Sequence, residues 1–319
     1  MRILHASKLP WQSRAILLPG EESPAKCVRL APRKVGSLIA GLALLLTVGA
    51  CSATSSGPEP TNLPSHDLQA TEGVASETGN WELPASGQLD YQLGGPYTPD
   101  ESVQVVVRDR EAGPAEGLYS VCYVNAFQTQ PGEEDVWSED LLLEKDGEVF
   151  YDPHWPDEAI VDTSTSQKRK DILALTTPWI AKCATDGYQG VEFDNLDSYS
   201  RSSGLLGFED NLALARDLVD VAHANGLAAG QKNAAEDSEA LHAGAGFDFA
   251  LTESCAYYGE CGEYAAIYGS NVFDVEYSDE VTTEEFQELC QDPDSLQGMV
   301  LRDRDLVAPR DPGYIFATC

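Results

Sequence analysis

Eight short apolar runs, several of them separated by stretches of helical periodicity, constrain this 319-residue chain more than any other feature. They read as strands at Leu89–Leu93, Val103–Val107, Leu118–Val124, Gly190–Asp194, Leu227–Gln231, Phe247–Thr252, Asn271–Val275 and Met299–Arg302. Between them, Arg169–Ala184 sets Ile172, Leu175, Trp179, Ile180 and Cys183 at helical spacing. Phe208–Asn225 gathers Leu212, Ala215, Leu218, Val219 and Ala222 on one face, and Asn225-Gly226 supplies its C-terminal stop. Thr282 or Thr283 N-caps a further helix over Glu284–Cys290. Strand and helix alternating to this count predict a single α/β domain, a (β/α)8 barrel of the TIM type rather than an open sheet. The first and last helices are expected to be short or missing.

That domain is expected to span 81–319, because what precedes Trp81 has a different character. Arg29, Arg33 and Lys34 lead into an apolar run, Val35 to Val48, that ends Val48-Gly49-Ala50-Cys51. A basic flank, a short apolar core and a small-residue site make residues 1–51 a signal peptide rather than a membrane span. The Cys after the small pair resembles a bacterial lipobox, so Cys51 is the expected site of lipidation, and a plain secretory peptide is the alternative. Residues 1–28 fit neither signal nor domain, which points to a start near Val28 or Leu30. Residues 52–80 are rich in Ser, Thr, Pro, Gly and Glu and read as a flexible linker with a reach on the order of 30 Å. The expected location is therefore the outer face of the cell membrane, held there by lipid alone.

The whole chain carries 20 Lys and Arg against 53 Asp and Glu, a net charge of −33. Without residues 1–51 the balance is 13 against 51, or −38. Such a surface repels nucleic acid and anionic headgroups and attracts polycations, although adaptation to salt produces the same surface. Six cysteines remain beyond residue 51, an even number in an exported chain, which argues for three disulfides among fifteen formal pairings. Cys255 and Cys261 are close enough to staple one loop, Cys290 with Cys319 would tie down the C-terminus, and Cys122 is left with Cys183. No Cys-x-x-Cys occurs and the His residues are scattered, so neither a metal nor another cofactor is expected. A monomer is expected.

Polar residues punctuate the strand ends, where parallel α/β proteins carry their chemistry. The densest group is Gly190-Val191-Glu192-Phe193-Asp194-Asn195-Leu196-Asp197-Ser198-Tyr199, in which Val191 and Phe193 read as the inward apolar side of a buried strand. Three carboxylates so close raise one another's pKa, which makes Asp194 a catalytic candidate with Asn195, Asp197 and Tyr199 beside it. Other ends offer Asp90, Asp109, Tyr123, Asn125, Lys232, Asn233, Glu253 and Glu276, enough to ring a pocket for a hydroxylated ligand. Glycosidic cleavage needs two carboxyl groups flanking the bond. Asp194 as nucleophile or base and Glu253 as acid form the expected pair, with Glu253 raised in pKa by a partly apolar setting. Glu276 is the strongest competitor for either role. Trp137, Trp155 and Tyr199 are candidates to stack on sugar rings.

In chain order, Leu89-Asp90-Tyr91-Gln92-Leu93, Cys122-Tyr123-Val124-Asn125, the Gly190–Tyr199 segment, Ala222-His223-Ala224-Asn225-Gly226-Leu227, Gln231-Lys232-Asn233, Thr252-Glu253-Ser254-Cys255 and Val272-Phe273-Asp274-Val275-Glu276-Tyr277 resemble glycoside hydrolase family 114, the endo-α-1,4-polygalactosaminidases. The resemblance implies a β/α barrel, carries Asp194 and Glu253 over as the catalytic acids, and implies internal cleavage of a cationic, galactosamine-containing polysaccharide. It departs from the family at Ala159-Ile160-Val161-Asp162-Thr163, where the family tends to have Trp-Leu-Asp-Ile-Arg. The other readings are a barrel that captures cationic glycan without turnover, and a hydrolase of another polysaccharide on the same scaffold.

Overall fold

The computed structural model describes residues 81–319 apart from 85, 293 and 294, so the signal, lipidation and linker expectations lie outside the described residues. Eight parallel strands follow one another around the sheet in chain order. They are β1 (Gln88–Gln92), β2 (Val103–Asp109), β3 (Tyr119–Asn125), β4 (Gly190–Asp194), β5 (Ala228–Lys232), β6 (Phe249–Glu253), β7 (Val272–Tyr277) and β8 (Gly298–Arg302). A ninth, β9 (Phe316–Thr318), pairs antiparallel with β8. All eight predicted strands are present, with ends displaced by no more than two residues.

Among the described residues no backbone ladder joins β8 to β1. The seam is bridged by a side chain instead. The fully buried Arg302 donates to the Tyr91 carbonyl and to Asp90 Oδ1 at 3.2 Å on β1. The result is a nearly closed (β/α)8 barrel of the TIM type.

Helices follow the third to seventh strands. α1 (Ser166–Asp186) is N-capped by Thr165, whose hydroxyl accepts from the Lys168 amide, and ends at Gly187 with φ 101°. α2 (Ser198–Arg201) and α3 (Phe208–Ala224) follow β4, and α4 (Ser238–Ala245) follows β5. After β6 come α5 (Cys255–Tyr258) and α6 (Cys261–Tyr268), and after β7 comes α7 (Thr283–Leu289), opened by a capping box between Thr282 and Glu285. The crossovers β1–β2 and β2–β3 carry no helix among the described residues, and β9 stands where the last helix would be.

Alternate strand residues face opposite ways, which divides the core into two shells. Leu89, Tyr91, Val105, Val107, Val121, Phe249, Phe273 and Val275 pack together in the barrel interior. Glycine makes room for the larger rings there. A Cβ on Gly230 would lie 2.6 Å from the Phe249 ring, and one on Gly298 would lie 2.4 Å from Phe273. The other strand face packs under the helices. Val191 and Phe193 belong to this outer shell, with Ile172 and Ile180 of α1 and Leu218 of α3. They are therefore apolar but not inward as expected; Glu192 and Asp194 take the inward positions of β4.

The cysteines pair as Cys122–Cys183, Cys255–Cys261 and Cys290–Cys319. The first ties β3 to α1, and the second sits immediately after the strand that delivers Glu253.

Candidate active site

Above the aromatic floor, the inward positions turn from apolar to charged as the strands reach their carboxyl ends. β4 contributes Glu192 and Asp194, β5 Lys232, β6 Glu253, and β1, β3 and β7 the tyrosines Tyr91, Tyr123 and Tyr277. Most of these line an open cavity of about 230 Å³. Three strands end on backbone bends of the same kind: Asn195 (φ 61°), Asn233 (φ 50°) and Ser254 (φ 58°) all take the left-handed conformation. Each bend stops the strand one residue beyond its functional side chain, and Asn is one of the few residues that tolerates this geometry.

Lys232 is the hub. Its buried ammonium lies 3.2 Å from Glu253 Oε2, 3.5 Å from Glu192 Oε1 and 3.8 Å from Asp194 Oδ2. It also donates to the Tyr91 hydroxyl at 3.1 Å. Sharing one ammonium keeps the facing oxygens of Asp194 and Glu253 within about 7 Å, the scale on which two carboxyl groups flank a glycosidic bond. Each of the pair also receives a phenol. Tyr123 donates to Asp194 Oδ2 at 2.6 Å and Tyr277 donates to Glu253 Oε1. Asn233 fixes Glu253 twice, donating to Oε2 at 2.9 Å and accepting from its amide at 2.8 Å.

These contacts set the protonation states. Burial alone would lower the pKa of Lys232, but Asp194, Glu253 and Glu192 together hold it well above its ordinary value. Burial would raise Glu253; Lys232, Tyr277 and Asn233 outweigh it and hold the carboxyl below the usual range. The expected upward shift of Glu253 is thus reversed, because its setting is a hydrogen-bonded ion cluster and not an apolar pocket. The upward shifts fall elsewhere. Burial, with the charges of Asp194 and Glu253 adding to it, pushes Glu192 up to about 7. Burial, followed by the charges of Asp194 and Asp152, pushes Glu158 up to about 8.

Of the other sequence candidates, Asn195, Asp197, Tyr123, Lys232 and Asn233 line the cavity, and so does Trp155. Arg201 clamps the first two, donating to Asp197 Oδ2 at 2.6 Å and to Asn195 Oδ1 at 2.9 Å. The remaining candidates do not line it. Asp90 faces the seam, bound by Gln92, Tyr97 and Arg302. Asp109 accepts from Gln130 and the Glu111 amide at the turn closing β2. Glu276, fully buried, caps α5 by accepting from the Ala256 and Tyr257 amides. Tyr199 donates to Asp237. Asn125 stands behind Glu158, and Trp137 is buried edge-on against Trp179. Cavity residues with no signal in the strand pattern are His154, Glu158, Arg201, Arg304 and Asp305, all supplied by loops or a short helix. Among the described residues, the one group spaced for a metal is Cys255, Cys261 and Asp274, and its sulfurs are joined in a disulfide.

A model of glycoside-hydrolase family GH114 matches residues 70–319. The chain belongs to glycoside-hydrolase family 114. As a family 114 glycoside hydrolase, it shares its barrel with a solved structure. Ega3 of Aspergillus fumigatus, in complex with galactosamine, is 21% identical with a TM-score of 0.60, over 76% of this chain and 98% of that one. The glycoside hydrolase domain of PelA from Pseudomonas aeruginosa is 12% identical with a TM-score of 0.48, over 70% and 98%. No curated protein sequence matches the chain. The cavity described above lies at the carboxyl-terminal face of the barrel, where enzymes of this architecture act.

Proposed function

We propose that this family 114 hydrolase cuts internal α-1,4 bonds of a cationic, galactosamine-containing polysaccharide, with Asp194 and Glu253 as its two carboxyl groups. The observation that carries this reading is the Asp194–Lys232–Glu253 cluster at the base of one open cavity. Two carboxyls held on one cation, each with its own phenol donor, are pre-positioned for attack on one side of a sugar and protonation on the other. Asp194, at the end of β4, acts as nucleophile or base. Glu253 acts as acid. At rest it is ionised, so it must gain a proton; a glycan covering the cavity strips away water and drives the pKa of the carboxyl up.

The substrate class is supported by charge. Asp152, Asp194, Asp197 and Glu253 gather around Lys232 and Arg201, and that excess of negative charge suits an amine-bearing polymer. The galactosamine bound to Ega3 points the same way. Export, lipidation at Cys51 and a linker over residues 52–80 belong to the same reading, since they would present a monomeric barrel to polymer outside the cell.

The test is to incubate the purified protein with partly deacetylated polygalactosamine and follow oligosaccharide release by mass spectrometry. Internal cleavage that drops by about 10³-fold or more in Asp194→Asn and in Glu253→Gln is expected. Hydrolysis near wild type in both variants would sink the site.

A further inference from the structure

Glu158 is the carboxylate that the two-carboxyl mechanism does not use. It lines the cavity, is only 7% exposed, and lies close enough to Asp194 to feel its charge. Among the described residues no Lys, Arg or His comes within 4.0 Å of it, and its side-chain hydrogen bond is a long one, from Asn125 Nδ2 to Oε2 at 3.5 Å. The neighbouring carboxylates differ: Asp194 and Glu253 share Lys232, and Asp197 and Asp152 share Arg201. Arg201 acts on Glu158 only from beyond ion-pair distance, so burial and the charges of Asp194 and Asp152 prevail, and at rest the carboxyl keeps its proton until a cation pairs with it directly. The loop that holds it is closed by its own backbone hydrogen bonds. Trp155 N donates to Asp152 O at 3.1 Å, Glu158 N to Trp155 O at 2.9 Å, and Asp152 N to Glu158 O at 2.9 Å. The same loop puts the half-exposed ring of Trp155 on the wall of the cavity that Glu158 also lines, a flat apolar plate and a carboxyl with no ion pair among the described residues. A plate for a sugar face and an acid in the same cavity are what an amino sugar needs.

We propose that Glu158 reads the amine of the sugar seated beside Asp194 and thereby sets the preference for a free amine over an acetamide. The inference rests on the cationic-substrate reading above. On binding, the neutral carboxyl loses its proton to solvent and the carboxylate pairs with the ammonium, so the pair forms inside the cavity with one proton released. An acetamide brings no charge and leaves the carboxyl protonated. Asp305, the other cavity carboxylate without an ion pair among the described residues, is exposed and gains far less from such a partner.

Binding and turnover are tested separately, so that failure of one reading is distinguishable from failure of the other. In the Asp194→Asn background, calorimetry with free-amine galactosamine oligomers in buffers of different ionisation enthalpy should show proton release. Adding Glu158→Gln should abolish that release and weaken binding by about tenfold to a hundredfold, the scale of one charge-assisted hydrogen bond. With Asp194 intact, Glu158→Gln should raise KM for free-amine oligomers and lower the preference over N-acetylated ones by the same factor, and Glu158→Asp should fall between. Unchanged proton release and affinity would overturn the assignment whether or not the enzyme turns over this polymer. A fall in kcat of equal size on both substrates would also overturn it, because Glu158 would then act on the leaving group or on the fold. Absent turnover of every galactosamine oligomer by wild type, with proton-linked binding intact, would overturn the hydrolytic specificity proposed above and leave the amine-reading role of Glu158 standing.

Discussion

Two of the buried basic side chains, Arg302 at the seam and Lys232 under the cavity, sit among acids and are balanced differently. Arg302 donates to the carbonyls of Tyr91, Val307 and Ile315 and to Asp90, with Asp303 at 3.6 Å. Its planar fork is filled, mostly by backbone, and the acids beside it are two. Lys232 has three carboxylates and one phenol, and Oε2 of Glu192 has no hydrogen-bond partner among the described residues. Tyr91 belongs to both centres: its carbonyl serves Arg302, while its hydroxyl donates to Glu192 at 2.8 Å. Burial of charge is therefore common to structure and function here. What separates these two centres is hydrogen bonding, since Arg302 spends its donors on Asp90 and three backbone carbonyls, whereas the cavity keeps surplus negative charge facing an open space.

Replacing each base by Met breaks this comparison most directly. Arg302→Met takes the cation from Asp90 and the donor from three carbonyls where a side chain bridges β8 and β1. We expect a loss of about 3–5 kcal/mol in a denaturant titration, with near-normal turnover per folded molecule. Lys232→Met should do the reverse. Glu192 already sits near neutrality, and Glu253 would rise towards it once its main cation is gone, so protons can replace the lost charge and soften the stability loss. Activity should nevertheless fall by about 10²-fold, because the acid pair loses the cation that spaces and ionises it. Equal damage to stability and turnover in both variants would dissolve the distinction.

The second test uses pH. Glu158 and Glu192 bind a proton more tightly in the folded chain, at about 8 and about 7, than at their ordinary value of 4.5. Their contribution to stability is complete below about pH 4.5 and is lost as pH rises through 7 and 8, at no more than about 1.4 kcal/mol per unit for each group. Glu253, depressed in the folded state, contributes in the opposite sense and loses its contribution only on acidification. Melts between pH 5 and 9 should therefore decline from about pH 5 to about pH 8 and level off above it, and Glu158→Gln with Glu192→Gln should flatten that decline. Parallel curves for wild type and the double variant would remove these two groups from the explanation.

The same contrast explains which parts of the molecule could be read from the sequence. The eight strands were legible because each is a short apolar run, and Asp194, Lys232 and Glu253 were legible because each ends one. The facing of strand residues was not. Both faces of a barrel strand are buried, so apolar alternation no longer marks the inside, and a one-residue error of parity sends a side chain to the other shell. That is why Val191 and Phe193 looked inward, and why Asp90 and Glu276 looked like sugar ligands when one belongs to the seam and the other caps α5. Glu158, His154, Arg304 and Asp305 come from loops that no periodicity describes. Arg201 had only its four-residue spacing from Asp197 to suggest an ion pair. α4 and α6 are eight residues each, too short for a helical face to stand out from their Ala- and Gly-rich surroundings.

The smallest effects should come from the two phenols, and they sharpen the comparison within the cavity itself. Tyr277 and Tyr123 are both buried, and each donates to one member of the acid pair. Removing either hydroxyl takes one hydrogen bond from a charged acceptor, which is worth about tenfold in kcat with little change in KM. The pH profiles should differ. The Tyr277 hydrogen bond is one of the forces that depress Glu253, second only to Lys232, so Tyr277→Phe should move the limb that reports Glu253 to higher pH. In Tyr123→Phe that limb should stay in place, because its phenol serves Asp194. If both variants shift the same limb, the two carboxyls titrate as one unit through Lys232, and separate assignments of acid and nucleophile would have to be given up for a description of the pair.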